Sequence, residues 1–248
     1  MKLAHSSFVL AAVFAFSGLA FADPIVGYGV FALSGTVTGT LTGLDFYLNT
    51  SIPPDQTGII VQPTLGMFSS LAAGTQETIL DLTSANGVAP GSQFDFANWI
   101  KLTDGINLDA TTIPINASIA VCVGNAFDHA GDQCRPNAHS PIILTQGGNG
   151  VSARVEVDGV AHYGTSTNDT PFVGLFNAPA TRYATISSFL TAFDASGGIP
   201  DVSYTAQFTT TVVPEPRSLI LTCLGLIGLL VVRGLRRNSM ARVGGVEG

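Results

Sequence analysis

The strongest constraint on the fold of this 248-residue chain is the strict alternation of apolar and polar residues in several short segments. A period of two places every second side chain on the same face of a β-strand. Glycine, proline and asparagine separate these segments, as is typical of loops and turns. The pattern predicts a mostly β, antiparallel fold, and we expect a β-sandwich with one short late helix.

The two clearest alternations lie in the middle of the chain. Residues 113–123 predict a half-buried strand, with Cys122 pointing away from its apolar face. Residues 151–157 predict a second strand, and the Asp158-Gly159 pair that follows is typical of a tight hairpin turn. We therefore expect the chain to reverse direction at that pair.

Other segments complete the predicted order of elements. Residues 36–42 alternate, and the apolar phase then flips, which predicts a β-bulge near Gly43. Further strands are predicted at residues 58–62, 78–82 and 202–209. An amphipathic helix is predicted before the last strand from the spacing of four apolar residues: Ile186, Phe189, Leu190 and Phe193.

The amino terminus has the three parts of a secretory signal peptide. Lys2 precedes an apolar segment, and Ala20 and Ala22 are the small residues expected at a cleavage site. Cleavage after Ala22 makes Asp23 the first mature residue. Residues 1–22 are thus predicted to direct export through the secretion machinery.

The charge of residues 23–212 is strongly negative. This region contains four Lys and Arg side chains and fifteen Asp and Glu side chains, a formal charge of −11. Such a surface repels nucleic acid, so a nucleic-acid partner is not expected. The region is long enough for one β-rich domain.

Two of the three cysteines lie in this region. Cys122 and Cys134 are predicted to form a disulfide, because exported proteins fold in an oxidising compartment. Two reduced core thiols are the alternative. A zinc site is less favoured, because zinc normally takes four ligands.

The carboxyl end has a hydrophobic segment between two polar features. An apolar run of about 15 residues ends in a basic cluster, which indicates a membrane helix with its basic end in the cytoplasm. As a helix the run is about 22 Å long, shorter than a bilayer core of about 30 Å. The residues that flank it are Pro214, Glu215 and Pro216 before the run, and Arg233, Arg236 and Arg237 after it.

This tail resembles the PEP-CTERM sorting signal, in which a Pro-Glu-Pro triplet, a short hydrophobic helix and an Arg-rich end are handled by an exosortase in Gram-negative bacteria. The resemblance covers residues 213–237 and leaves residues 238–248 as a predicted cytoplasmic tail. It implies transient anchoring in the inner membrane, followed by a place at the cell surface or in the extracellular matrix. It also implies extracellular polysaccharide as a further partner.

The sequence contains no recognisable catalytic or cofactor motif. His129 and His139 lie with Asp128 and Asp132 around the predicted disulfide loop, but their spacing is not that of a metal motif. We therefore expect no metal site, no cofactor and no enzymatic activity. A glycan hydrolase with two Asp carboxylates is a weaker alternative, because the separation of such carboxylates depends on the fold.

A secreted carbohydrate-binding module is the main alternative to a non-enzymatic envelope or matrix protein. Exposed aromatic rings such as Trp99 or Tyr163 would then stack against sugars. We expect instead that the bulky apolar group around Trp99 belongs to the core. Its members are Phe94, Phe96, Trp99 and Ile100.

Overall fold

The structure, a computed structural model, describes residues 26–40, 43–47, 57–166, 169–196 and 198–211. The chain divides into two units, Met1–Val212 and Val213–Gly248, and all the described residues belong to the first. No helix within the described residues is long and apolar enough to cross a membrane. The predicted signal peptide and the predicted C-terminal hydrophobic helix both lie outside the described residues.

The described residues form eleven strands and one α-helix, which precedes the last strand. The helix, α1, is Ile186–Ser196. A single 3-10 turn, Ser84–Asn86, lies between β4 and β5. The strands are β1 (Gly29–Gly39), β2 (Leu44–Tyr47), β3 (Thr57–Gly66), β4 (Gln76–Ile79), β5 (Gln93–Lys101), β6 (Ile106–Thr112), β7 (Gln133–Cys134), β8 (Ile143–Gly147), β9 (Gly150–Tyr163), β10 (Thr170–Ala180) and β11 (Ile199–Thr210).

Eight of these strands close into an antiparallel barrel. Their order around the barrel is β1, β3, β4, β5, β6, β9, β10 and β11, and β11 pairs with β1 to complete the circle. The remaining strands extend the barrel at two places, because β2 pairs with β1, whereas β8 pairs with β9 and carries β7. Closure leaves the eight barrel strands with partners on both edges, and unpaired edges are thereby reduced.

The prediction of a mostly β, antiparallel fold with one late helix is confirmed. The predicted β-sandwich is not confirmed, because the pairing of β9 with β10 joins the strands into one closed sheet. The predicted helix is α1, which buries Ile186, Phe189 and Phe193. The last predicted strand is β11.

The barrel interior is filled by aromatic rings that contact one another. Trp99 lies among them and is fully buried, with ring centroids 5.9 Å from those of Phe176 and Phe208. Its indole Nε1 donates a hydrogen bond of 2.9 Å to the carbonyl of Leu80, so the one polar atom of the ring is paired. The cluster consists of Phe31, Phe46, Phe68, Trp99, Phe172, Phe176, Tyr204 and Phe208.

The strand predicted at residues 113–123 is wrong. Strand β6 ends at Thr112, and the chain then makes turns. Pro114 has no backbone N–H to donate to a neighbouring strand. The Asn116 side-chain oxygen accepts a hydrogen bond of 3.1 Å from the backbone N–H of Ser118, an Asx turn that competes with extended structure.

The hairpin predicted at Asp158-Gly159 is also wrong, since both residues lie inside β9. The chain instead reverses between β8 and β9, where Gly147 pairs with Gly150. Gly159 has a different role, because an added Cβ would lie 2.0 Å from the carbonyl oxygen of Asp109 and 2.6 Å from the Phe172 ring. Glycine is needed here for the close approach of β6 and an aromatic ring.

The bulge predicted near Gly43 is a chain reversal. Strands β1 and β2 pair antiparallel, with Gly39 opposite Leu44. The backbone N–H of Thr40 donates a hydrogen bond of 2.9 Å to the carbonyl of Gly43. The alternation of apolar residues changes phase because one strand ends here and the next begins. Residues 41 and 42, between the two strands, lie outside the described residues.

We expect Trp99→Ala to lower the free energy of unfolding by about 3–5 kcal/mol, because it leaves a large cavity among the rings. Urea unfolding of the full-length chain measures the change. Val173→Ala is the control, because Val173 is partly exposed on β10 and its loss should change stability by less than about 1 kcal/mol. A loss at Trp99 no larger than that of the control would contradict the central place of this ring in the core.

We expect Gly159→Ala to destabilise the chain by about 1–3 kcal/mol or more, because the new methyl group overlaps the Asp109 carbonyl and the Phe172 ring. Gly148→Ala is the matched control, since an added Cβ there meets no atom within 4 Å. Thermal unfolding of both variants checks the difference. Equal stability of the two variants would indicate that Gly159 does not lie against β6.

Candidate functional site

The predicted disulfide is confirmed. Cys122 and Cys134 are bonded, with their Cα atoms 5.0 Å apart. Cys134 is buried at the end of β7, and the backbone N–H of Cys122 donates a hydrogen bond of 2.8 Å to the carbonyl of Arg135. The disulfide therefore joins the turns after β6 to the short edge strand β7.

Arg135 fixes the base of the same loop from inside. Its side chain is only 6% exposed, although it carries a positive charge. Its Nε donates a hydrogen bond of 2.9 Å to the carbonyl of Ile119, and its Nη1 donates one of 2.8 Å to the carbonyl of Ala138. Buried charged groups are costly unless they are hydrogen-bonded, and these carbonyls meet that need.

The disulfide loop supplies the cap of helix α1. The backbone N–H of Ser187 donates a hydrogen bond of 2.9 Å to Oδ1 of Asp128, and the Ser187 hydroxyl donates a short hydrogen bond to Oδ2. These two hydrogen bonds lower the pKa of Asp128. A carboxylate is also favoured at a helix amino terminus by the helix dipole.

A second side chain holds the same helix end from β8. Gln146 is buried, and its Oε1 accepts a hydrogen bond of 2.9 Å from the backbone N–H of Ile186. Its Nε2 donates one of 2.9 Å to the carbonyl of Ala184. The first turn of α1 is thus held by β8 and by the disulfide loop together.

The polar residues singled out near the loop do not converge. Asp128 is occupied by the helix cap, and the exposed His129 lies with its Nδ1 3.5 Å from Oδ2 of Asp132. The backbone N–H of His139 donates to the side chain of Asn137 in a local turn. Within the described residues, no three His, Cys, Asp or Glu side chains are grouped so that they could hold a metal ion.

The structure brings together an Asp–His pair that the sequence did not reveal. Nε2 of His162 on β9 lies 3.2 Å from Oδ2 of Asp109 on β6, and the imidazole is largely buried. Oδ1 of Asp109 accepts a hydrogen bond of 2.6 Å from the backbone N–H of Asn98. Asn98 has a positive φ of 54°, so Asp109 holds the backbone where the register between β5 and β6 shifts.

The two glutamates within residues 23–212 have different surroundings. Glu77 is buried, and both of its carboxylate oxygens accept hydrogen bonds from Thr103, each of 2.8 Å. Burial is the main cause of its raised pKa. Glu156, in contrast, lies on the outer face of β9 beside a surface cleft.

This cleft has a volume of about 250 Å³ and lies at a fork in the sheet. One edge of β9 pairs with β8 through residues 150–154 and with β6 through residues 158–163, so the described residues include no strand partner for residues 155–157 on that edge. We call it the fork cleft. Its lining consists of Pro114, Asn116, Pro141, Ile143, Arg154 and Glu156.

The aromatic residues considered for sugar binding are not both accessible. Trp99 is 0% exposed, so its ring cannot stack against a sugar. Tyr163 is half-buried at the end of β9, and burial together with the nearby Asp104 raises its pKa. The prediction that the group around Trp99 forms core therefore holds for Trp99 and Ile100, whereas Phe94 and Phe96 are half-buried.

The residues predicted to form the sorting motif, the basic cluster and the signal cleavage site lie outside the described residues. These are Ala20, Ala22, Pro214, Glu215, Pro216, Arg233, Arg236 and Arg237. Comparison with protein-family models, with curated proteins and with solved structures finds no match to this chain.

We expect Asp128→Asn to be less stable than the wild type at neutral pH, because the charged cap of α1 is lost. The pKa of Asp128 is lower in the folded chain, so the cap stabilises the fold above the unfolded pKa of about 4 and is lost as the pH falls through the folded pKa. Urea unfolding across this pH range should show the two chains converging in acid.

The control for this series is Asp95→Asn, because Asp95 is an exposed carboxylate on β5. Its replacement should change stability by less than about 0.5 kcal/mol. If the difference in unfolding free energy between Asp128→Asn and the wild type stays constant or grows in acid, Asp128 does not cap α1 through its charge.

Proposed function

We propose that this chain is an exported, non-enzymatic protein of the cell envelope or the exopolysaccharide matrix, and that its disulfide-bonded barrel is delivered by a PEP-CTERM-like tail. The observation that carries the proposal is the Cys122–Cys134 disulfide. Disulfides form and persist in oxidising compartments outside the cytoplasm. The signal-like amino terminus and the tripartite tail point to the same destination.

The proposal assigns a role to each part of the chain. Residues 1–22 direct secretion, and residues 23–212 are the exported domain. Residues 213–237 hold the protein in the inner membrane until an exosortase recognises Pro214, Glu215 and Pro216. Residues 238–248 remain in the cytoplasm until that step. The mature domain then reaches the cell surface or the extracellular polysaccharide.

The non-enzymatic part of the proposal is supported by what the candidate acid and base groups contact. Asp128 caps α1, Glu77 holds Thr103, and Asp109 holds the backbone of Asn98. Each of these three carboxylates thus has a structural hydrogen-bond partner. The carbohydrate-binding alternative is weakened by the burial of Trp99, one of the two aromatic residues considered for sugar stacking.

The proposal is tested by the mass and thiol state of the protein in membrane, surface and medium fractions of its host, with and without the sorting protease. We expect a product that begins at Asp23, ends within residues 214–218 only when the protease is present, and takes up a thiol reagent at Cys122 and Cys134 only after reduction. Cysteines stay reduced in the cytoplasm. Labelling of Cys122 and Cys134 without prior reduction would therefore indicate that the protein had not been exported.

A chain in which Pro214, Glu215 and Pro216 are all replaced by alanine is the matched control. It should be exported and oxidised but should keep its tail. Persistence of the Arg233 to Gly248 end in every wild-type fraction would show a plain membrane anchor and would overturn the sorting proposal.

A further inference from the structure

We propose that the fork cleft is a binding site for a short peptide-like zwitterion of about two residues, with its carboxylate at Arg154 and its ammonium group at Glu156. This inference is independent of the proposed export route, because it rests on the described barrel alone. It begins with the interruption of the sheet beside β9.

The interruption is built into the sequence on both sides. The chain leaves β6 after Thr112 and next pairs with β9 at Ile143, and a proline lines the cleft at each side of the gap, Pro114 and Pro141. A proline has no N–H to donate and cannot extend a strand ladder in the usual way. The gap beside residues 155–157 therefore stays open.

Two opposite charges stand at this gap without a protein partner. Arg154 and Glu156 are two residues apart on the outer face of β9. The described residues form no ion pair with either side chain. Asp158 lies two residues beyond Glu156 on the same face of β9, so the Glu156 end of the cleft has two carboxylates close together and is the more negative one.

The spacing of these charges fits a dipeptide. Side chains at positions i and i+2 of a strand are about 7 Å apart, and an extended chain of two residues has about the same length. A carboxylate at Arg154 forms charge-assisted hydrogen bonds with the guanidinium group, and an ammonium group at Glu156 completes the pair. The ligand then runs antiparallel to β9, in the same direction as β6 and β8.

The size and lining of the cleft favour this ligand over others. A volume of about 250 Å³ is below the roughly 300–1,000 Å³ of sites for drug-sized ligands, so the part of a ligand that the cleft holds is small. A sugar would be expected to stack on an aromatic ring, and the cleft has none among its lining residues. The prolines and Ile143 instead provide an apolar wall for small side chains.

The test is isothermal titration calorimetry of the full-length chain with L-alanyl-L-alanine. We expect saturable binding with a Kd on the order of 1 mM, given the few atoms of the ligand. Acetylation of the dipeptide amine or amidation of its carboxylate should each weaken binding about tenfold or more, because each removes one charged contact. Absence of saturable binding overturns the proposal.

Three variants separate the contacts. Arg154→Gln should bind the free and the amidated dipeptide equally weakly, and Glu156→Gln should lose its preference for the free amine. Ser152→Ala, exposed on the same strand outside the cleft, should bind as the wild type does. Unchanged binding in both charge variants overturns the proposal, as does equal binding of a methyl glucoside, which would indicate a saccharide site.

Because the blocked dipeptides are tested on the wild-type chain, the proposal remains falsifiable if a variant does not fold. Its failure is also distinct from failure of the export proposal, which is measured by the mature mass and the thiol state. If a chain that keeps its tail binds the dipeptide, the proposed binding site is supported. The mature mass still decides the sorting proposal separately.

Discussion

The fold depends on filling the interior of a closed eight-stranded barrel. A barrel of this size leaves just enough room for side chains, and here that room is taken by contacting aromatic rings with Trp99 among them. Seven of the eight rings come from β1, β2, β5, β10 and β11, and the eighth, Phe68, follows β3. Contacts such as that between Phe31 and Phe208 join strands that are far apart in sequence. The single indole N–H is paired with Leu80, which allows the ring to be buried without an unpaired donor.

Strands β1 and β9 are longer than most of the strands they pair with, and this difference in length determines where the sheet forks. β1 pairs with β3 near its start and with β2 near its end, and β9 pairs with β8 near its start and with β6 near its end. Each long strand therefore produces a fork. The excursion that carries the disulfide loop begins and ends at the fork beside β9, and the fork cleft lies there. The geometry of the cleft thus follows from strand length.

The sequence predicted the elements whose signals are local. The spacing of Ile186, Phe189 and Phe193 identified α1, and the cysteine pair identified the disulfide. Prediction from the sequence failed where the same pattern is compatible with two different structures. An Asp-Gly pair can form a turn, or its glycine can lie within a strand and allow the backbone of a neighbouring strand to approach closely. Gly159 is the second case, because the Asp109 carbonyl lies against it. Asp109 and His162 lie 53 positions apart, so their contact depends on the register between β6 and β9, which alternation does not encode.

The disulfide restricts the loop between the two cysteines, and that loop in turn caps α1. The Cys122–Cys134 bond limits the conformations of the loop that carries Asp128, and Asp128 satisfies the first N–H groups of α1. Gln146 holds the same helix end from β8, so the helix retains one cap when the loop is free. Oxidation of the cysteines therefore lowers the entropy cost of the second cap rather than creating the helix. Under the proposed export route, this added order of the loop arises in the compartment where the disulfide forms.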